Sequence, residues 1–201
     1  MTASTGIMAR LTLGALLSIG IVVVCGSRMA EAFLPVLRWS LVQLNSVDRV
    51  VDLSIRAHGV ISGDEQVYWL VVAPDRLVFI GDRPVFADPR GRAMVSVLVT
   101  YLFQSLIVAL PFALAWPASS GTQWLVRLAA LSAFLGCFTL IDLPFALWAQ
   151  IWQIYVDTHA PGKFSLLLVW ADFLQGGGRF LLGFIAAGMS VVISRSLFRL
   201  P

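Results

Sequence analysis

Three charged side chains stand inside otherwise apolar runs: Asp142, Asp172 and Arg179. A charge in a hydrocarbon setting is expensive and is kept where it pairs or lines a pathway. Asp142 lies eighteen residues before Ala160, and Arg179 lies nineteen after it. If the chain turns back near Ala160 as an antiparallel helical hairpin, both side chains sit ~27 Å from the apex, at 1.5 Å per residue. An ion pair at that level removes two isolated charges from lipid. The two residues admit three readings: a structural clamp, a substrate or proton site, or groups that face water. The clamp is preferred, because one matched pair can be purely architectural. Asp172 falls opposite Trp148 by the same count, nearer the interface, and is a secondary candidate. Gly176-Gly177-Gly178 precedes Arg179. Three glycines make a poor helix interior, so a helix break or a close helix contact is expected there. As a phosphate-binding nest the run is only superficially suited.

Nucleophile and metal arrangements are missing. Cys25 and Cys137 sit in separate apolar runs, and His58 and His159 are far apart. Neither cysteine has metal-ligand spacing, and both read as apolar filler. Lipidation at Cys25 would need a small residue before it, where Val24 stands. His159 falls in an outer loop, away from Cys137 in depth, so the hydrogen bond of a Cys-His site is not expected. No Walker motif, dinucleotide fingerprint or paired metal-ligand histidines occur. No catalytic residue, metal or cofactor is therefore assigned, and the reading leans away from an enzyme. An intramembrane enzyme using Cys137 or the aspartates is the outlying alternative.

The elements that must position these residues follow from composition and period. The chain has 201 residues, 59% hydrophobic and 12% charged. A soluble domain carries about 25% charged residues, so lipid is the natural solvent here. The net charge of +3 rests on arginine, with Lys163 the sole lysine. No basic stripe marks a nucleic-acid binder.

The expected class is an α-helical polytopic membrane protein with about four transmembrane helices, a small extracytoplasmic β-meander and an amphipathic surface helix. Residues 1–26 form an N-terminal transmembrane anchor, its apolar run Ile7 to Gly26 long enough to cross a membrane. No small-residue cleavage pattern follows it, so it reads as retained. Residues 27–49 form the surface helix, with Phe33, Leu34, Leu37, Leu41 and Leu44 at helical spacing. Pro35 should kink or restart it, and Trp39 suits the interface.

Residues 50–92 alternate with period two. Val51, Leu53, Ile55 and Ala57 oppose Asp52, Ser54, Arg56 and His58. This predicts three or four strands, with turns at Ser62-Gly63-Asp64-Glu65 and Pro74-Asp75. So small a sheet is marginal alone and should lean on the surface helix or on a partner. Residues 93–201 form a three-helix membrane region: Met94 to Trp116, Trp124 to beyond Trp148, and a last segment interrupted at the glycines.

Four crossings place both termini on one side. Arg10, Arg127, Arg195 and Arg199 then share that side, opposite Lys163. The segment from Ser27 to Arg92 has eight arginines but also eight acidic residues, and as a folded segment it translocates largely regardless of charge. The short elements put the termini in the cytoplasm and residues 27–92 outside it.

The order of elements resembles a family. An N-terminal anchor leads to a Pro-containing apolar run, Phe33-Leu34-Pro35-Val36-Leu37-Arg38-Trp39, then to a short β-rich segment and three more membrane helices. In layout, over nearly the whole chain, this is similar to the small membrane proteins encoded alongside exosortases, in particular the exosortase H-associated type. The resemblance implies an accessory role in sorting or processing exported proteins at a bacterial inner membrane. Exosortases themselves use a Cys, an Arg and a His on membrane helices. Cys137, Arg179 and His159 lack the surrounding patterns, so catalysis is not carried over. The expected function is a non-enzymatic accessory or assembly subunit of a bacterial inner-membrane complex, in contact with membrane lipid and a membrane-protein partner and not with nucleic acid. The alternative is a small transporter or channel component built on Asp142 and Arg179.

Overall fold

The computed structural model describes residues 2–44, 47–57, 65–80, 83–85, 88 and 90–198. Helix α1 (Thr2–Leu44) is followed by strands β1 (Asp48–Ala57), β2 (Gln66–Pro74), β3 (Val78–Ile80), β4 (Arg83–Val85) and β5 (Ala93–Leu98). Helices α2 (Tyr101–Ala115), α3 (Gly121–His159), α4 (Leu166–Phe173) and α5 (Arg179–Leu197) complete the order. The chain divides into two compact units. The first comprises Met1–Arg28, Tyr101–Thr139 and Gly177–Pro201; the second comprises Met29–Thr100 and Leu140–Gly176.

The first unit is helical. Its core gathers Ala109, Leu110 and Ala113 of α2, Leu131 of α3, and Ala186 and Ala187 of α5. Small residues set the helix spacing. A Cβ added at Gly183 would stand 2.6 Å from the Ser105 carbonyl oxygen, and one at Gly14 would stand 2.6 Å from the Pro111 Cα. Such close backbone approach is how apolar helices associate in lipid, where burial alone gives little drive. Gly14 lies by Pro111 and Gly26 by Phe103, so α1 runs antiparallel to α2. Phe112 and Phe184 meet edge-on at 4.5 Å.

Outside this core the large apolar side chains are exposed: Leu16, Val23 and Val24 of α1, Leu125 of α3, and Leu181, Ile185 and Val192 of α5. Water-soluble monomers rarely leave contiguous apolar faces of this extent uncovered. Three helical stretches are long and apolar enough to cross a membrane: Gly6–Leu44, Gly121–His159 and Leu166–Leu197. The expected count of four is corrected to three among the described residues. Tyr101–Ala115 is a shorter apolar helix, ~22 Å long.

The shortfall has a cause. Met94 to Leu98, expected as the start of a membrane helix, is strand β5, with Val67↔Leu98 through Val72↔Ala93 in register on β2. Val95 and Val97 are buried and Met94 is exposed, a period of two. β-Branched residues favour that pleat; absence of charge alone does not distinguish strand from helix.

In the second unit β1, β2 and β5 form an antiparallel sheet in that order, and β3 with β4 forms a separate two-stranded sheet. The single meander expected over residues 50–92 is thus corrected: the main sheet reaches to Leu98. A register shift between Val50 and Asp52 marks a bulge in β1. The extra residue turns Val51 outward, against the alternation read from sequence. The turn expected at Ser62-Gly63-Asp64 and the strand end at Phe86 lie outside the described residues, as does His58.

A separate surface helix over residues 27–49 is also corrected. Helix α1 continues through Gly26 and through Pro35 to Leu44. Met29, Ala30, Glu31 and Ala32 are strong helix formers, and the buried line of Ala30, Leu37 and Leu41 carries on down one face. Trp39 points away from it and is 64% exposed.

Candidate functional site

The most concentrated polar chemistry of the first unit surrounds Arg127, whose side chain is 0% exposed. Helix α2 ends at Ala115, leaving terminal carbonyls without helical donors. Arg127, on the second turn of α3, supplies them. Its Nη1 donates to the Ala113 carbonyl at 3.1 Å and to that of Trp116, and its Nη2 donates to that of Pro117 at 3.3 Å. Its Nε donates to the Ser194 hydroxyl of α5 at 3.2 Å. The guanidinium also lies 4.6 Å from the centre of the Trp124 ring. One planar fork thus ties α2, α3 and α5 together, which a point-like ammonium could not do with the same set of acceptors.

Beside it, Gln123 accepts from the Ser119 backbone N–H at 2.7 Å and from its hydroxyl at 3.0 Å. Its Nε2 donates to the Ser194 carbonyl. A cavity of about 350 Å³ opens here, lined by Pro117, Ala118, Ser119, Gln123, Arg195 and Phe198. By sequence Arg127 is a charge near the loop before the third helix, of use only for orientation. A lone arginine one turn after Trp124 in a charge-poor helix was the available signal for more.

Arg179, at the other end of α5, is 1% exposed. Its guanidinium lies 4.0 Å from the Tyr101 ring centre, and its backbone carbonyl accepts from the Ser105 hydroxyl at 3.0 Å. Just before it Gly177 takes φ 110°, and the backbone leaves helical geometry there, a kink within Leu174–Gly178 between α4 and α5. A side chain at that φ would be strained; glycine is not.

Asp142 belongs to the second unit, on α3, and is 4% exposed. Neither Asp142 nor Arg179 is without a partner. Asp172 is exposed on α4. A groove of about 690 Å³ runs between α3 and α4, lined by Ile141, Phe145, Trp148, Leu166, Trp170 and Phe173 among other apolar side chains.

The sheet of this unit is tied to its helices by three polar contacts. Tyr68 on β2 donates to the Ala30 carbonyl of α1 at 3.1 Å, and burial holds its phenol well above the ordinary value. Tyr155 of α3 donates to the Asp48 carboxylate of β1 at 2.6 Å. Gln150 donates to the Ser96 carbonyl at 3.0 Å and accepts from its N–H at 3.3 Å. That amide mimics a neighbouring strand at one residue of the outer edge of β5, and an edge so interrupted resists stray pairing.

Cys25 and Cys137 are free and exposed, and His159 is exposed at the end of α3. Among the described residues no three of His, Cys, Asp and Glu come together as a metal site. No protein-family model, curated protein or solved structure significantly matches the chain. The class of the protein rests on its helices, three of which are long and apolar enough to cross a membrane.

Proposed function

We propose that the chain is a non-enzymatic accessory or assembly subunit of a bacterial inner-membrane complex, of the kind associated with exosortase-type protein sorting. The observation that carries this reading is the edge of the sheet. Gln150 engages the outer edge of β5 at Ser96 alone, whereas β1, ten residues long, pairs with β2 alone among the described residues. An open edge of that length is a template for a strand from another chain. On β1 the salt bridge of Arg56 with Asp52, at 3.0 Å, and the exposed Arg49 guard against indiscriminate pairing. The occupant is an extended segment of a membrane-protein partner.

Termini in the cytoplasm and residues 27–92 outside it belong to the same proposal, in which the shorter apolar helix α2 returns the chain between the first and second long spans. Gly14 of α1 and Ser194 of α5 both neighbour the C-terminal end of α2, by way of Pro111 and Arg127. This supports a common side for the two ends, and the arginines there favour the cytoplasm. Asp142 and Arg179 are proposed to pair as a clamp.

The test is purification in mild detergent, combined with a photo-crosslinking residue at Val51, which is exposed on β1. One stoichiometric partner, joined covalently at Val51, is the expected result. Ion-dependent flux through vesicles holding this chain alone would contradict it. That outcome would favour the transporter reading, whose support is the glycine break beside a buried arginine.

A further inference from the structure

Arg127 spends its donors inward on α2 and Ser194, while Arg195 stands at the rim of the 350 Å³ cavity. The guanidinium of Arg195 lies 5.7 Å from the Trp116 ring centre. Among the described residues neither arginine forms an ion pair and Arg195 meets no hydrogen-bond acceptor. The cavity wall is already fixed: Gln123 holds the Ser119 backbone and hydroxyl, and its other end is held by Ser194. Two tryptophans, Trp116 and Trp124, stand under the two guanidiniums, the residue type that anchors helices at the headgroup level. A preformed cavity of mixed polar and apolar lining, with an arginine that has no ion-pair partner among the described residues, at the end of an apolar helix bundle, calls for an anion.

We propose that this cavity binds the phosphate of an anionic phospholipid headgroup, with Arg195 as its principal contact and Arg127 supplying field from behind. The inference rests on the membrane reading above. Both arginines are on the side assigned to the cytoplasm, where anionic lipids attract basic groups at the membrane surface. An arginine fork suits a phosphodiester in both shape and charge.

The experiment is native mass spectrometry of the full chain in detergent, titrated separately with dioleoyl-phosphatidylglycerol and dioleoyl-phosphatidylcholine. Phosphatidylglycerol should be retained in preference. Arg195→Gln should lower its retention roughly fivefold, the weight of one surface cation, with phosphatidylcholine unaffected. Arg195→Lys should keep most of the preference, and Arg38→Gln, exposed on α1 in the second unit, should keep all of it. Should Arg195→Gln fail to fold, Ala118→Glu, which sets an anion in the same cavity, should abolish the preference. Equal retention of the two lipids, or no loss in either cavity variant, would overturn the proposal. So would displacement of the lipid by millimolar inorganic phosphate, which would make the site one for the free ion. A protein that washes off membranes without detergent would sink the membrane reading itself; one that needs detergent but shows no lipid preference sinks this inference alone.

Discussion

At the scale of single residues, the protein keeps few charges in its apolar helices, and Arg127 is held by several hydrogen-bond acceptors. Arg127 accounts for the end of α2. Replacing it with Ala removes a charged donor from the buried Ala113 carbonyl and Ser194 hydroxyl and from the part-buried carbonyls of Trp116 and Pro117. A buried acceptor left unmet costs about 1–3 kcal/mol, so Arg127→Ala should lose at least ~2 kcal/mol, read as a lower melting temperature in detergent. Arg127→Lys should recover part of that loss, because an ammonium reaches fewer of these acceptors. Equal stability of Arg127→Ala and the parent would show that the end of α2 is satisfied some other way. The proposed clamp is tested by exchange. Asp142→Asn alone should destabilise by ~3–5 kcal/mol by leaving a buried charge unmatched. Arg at 142 together with Asp at 179 should regain part of it. Strictly additive losses in the exchange would mean that the two side chains do not meet. Asp142 and Arg179 were visible in the sequence because a charge in an apolar run is conspicuous. The network of Arg127 was not, since its acceptors are backbone carbonyls, and these carry no residue identity.

At the scale of elements, glycine does two separate jobs. Gly177 needs its positive φ, and Gly183 needs empty space against Ser105. Gly177→Ala should cost about 1–3 kcal/mol through backbone strain. Gly176→Ala, which meets nothing within 4 Å, should be neutral or mildly stabilising. Gly183→Ala should cost about 1–3 kcal/mol by forcing α2 and α5 apart. Thermal melts of the three variants check the contrast; equal effects at Gly176 and Gly177 would remove the argument for a conformational requirement at the break. The glycine run could be read from sequence because three consecutive glycines suit few other purposes. The junction near Met94 could not. An uncharged stretch such as Met94 to Trp116 satisfies the hydropathy rule for a membrane helix. Only pairing with β2 shows that its first residues are a strand. Likewise Gly26 and Pro35 look like boundaries in a sequence, yet α1 passes both, because one buried line of residues runs on through them. The bulge at Val51 shifts the strand's alternation and could be found only from register.

At the scale of the whole molecule, composition was the strongest signal. A chain with 59% hydrophobic residues has to expose apolar surface, and the faces of α1, α3 and α5 do so. Helix number was less legible, because hydropathy counts apolar length and takes no account of how it is divided between helix and strand. The proposed topology has the chain cross a membrane with residues 27–92 outside the cytoplasm and both termini inside. The most direct measurement uses two single-cysteine variants, made after Cys25 and Cys137 are replaced by Ser. One carries Glu65→Cys, just before β2; the other carries Ser120→Cys, between α2 and α3. Both positions are exposed. On intact cells a membrane-impermeant maleimide should label Glu65→Cys and leave Ser120→Cys unmodified until the inner face is opened. Labelling of Ser120→Cys from outside while Glu65→Cys stays protected would reverse the topology, and equal labelling of both in a detergent-free soluble fraction would contradict the membrane assignment altogether.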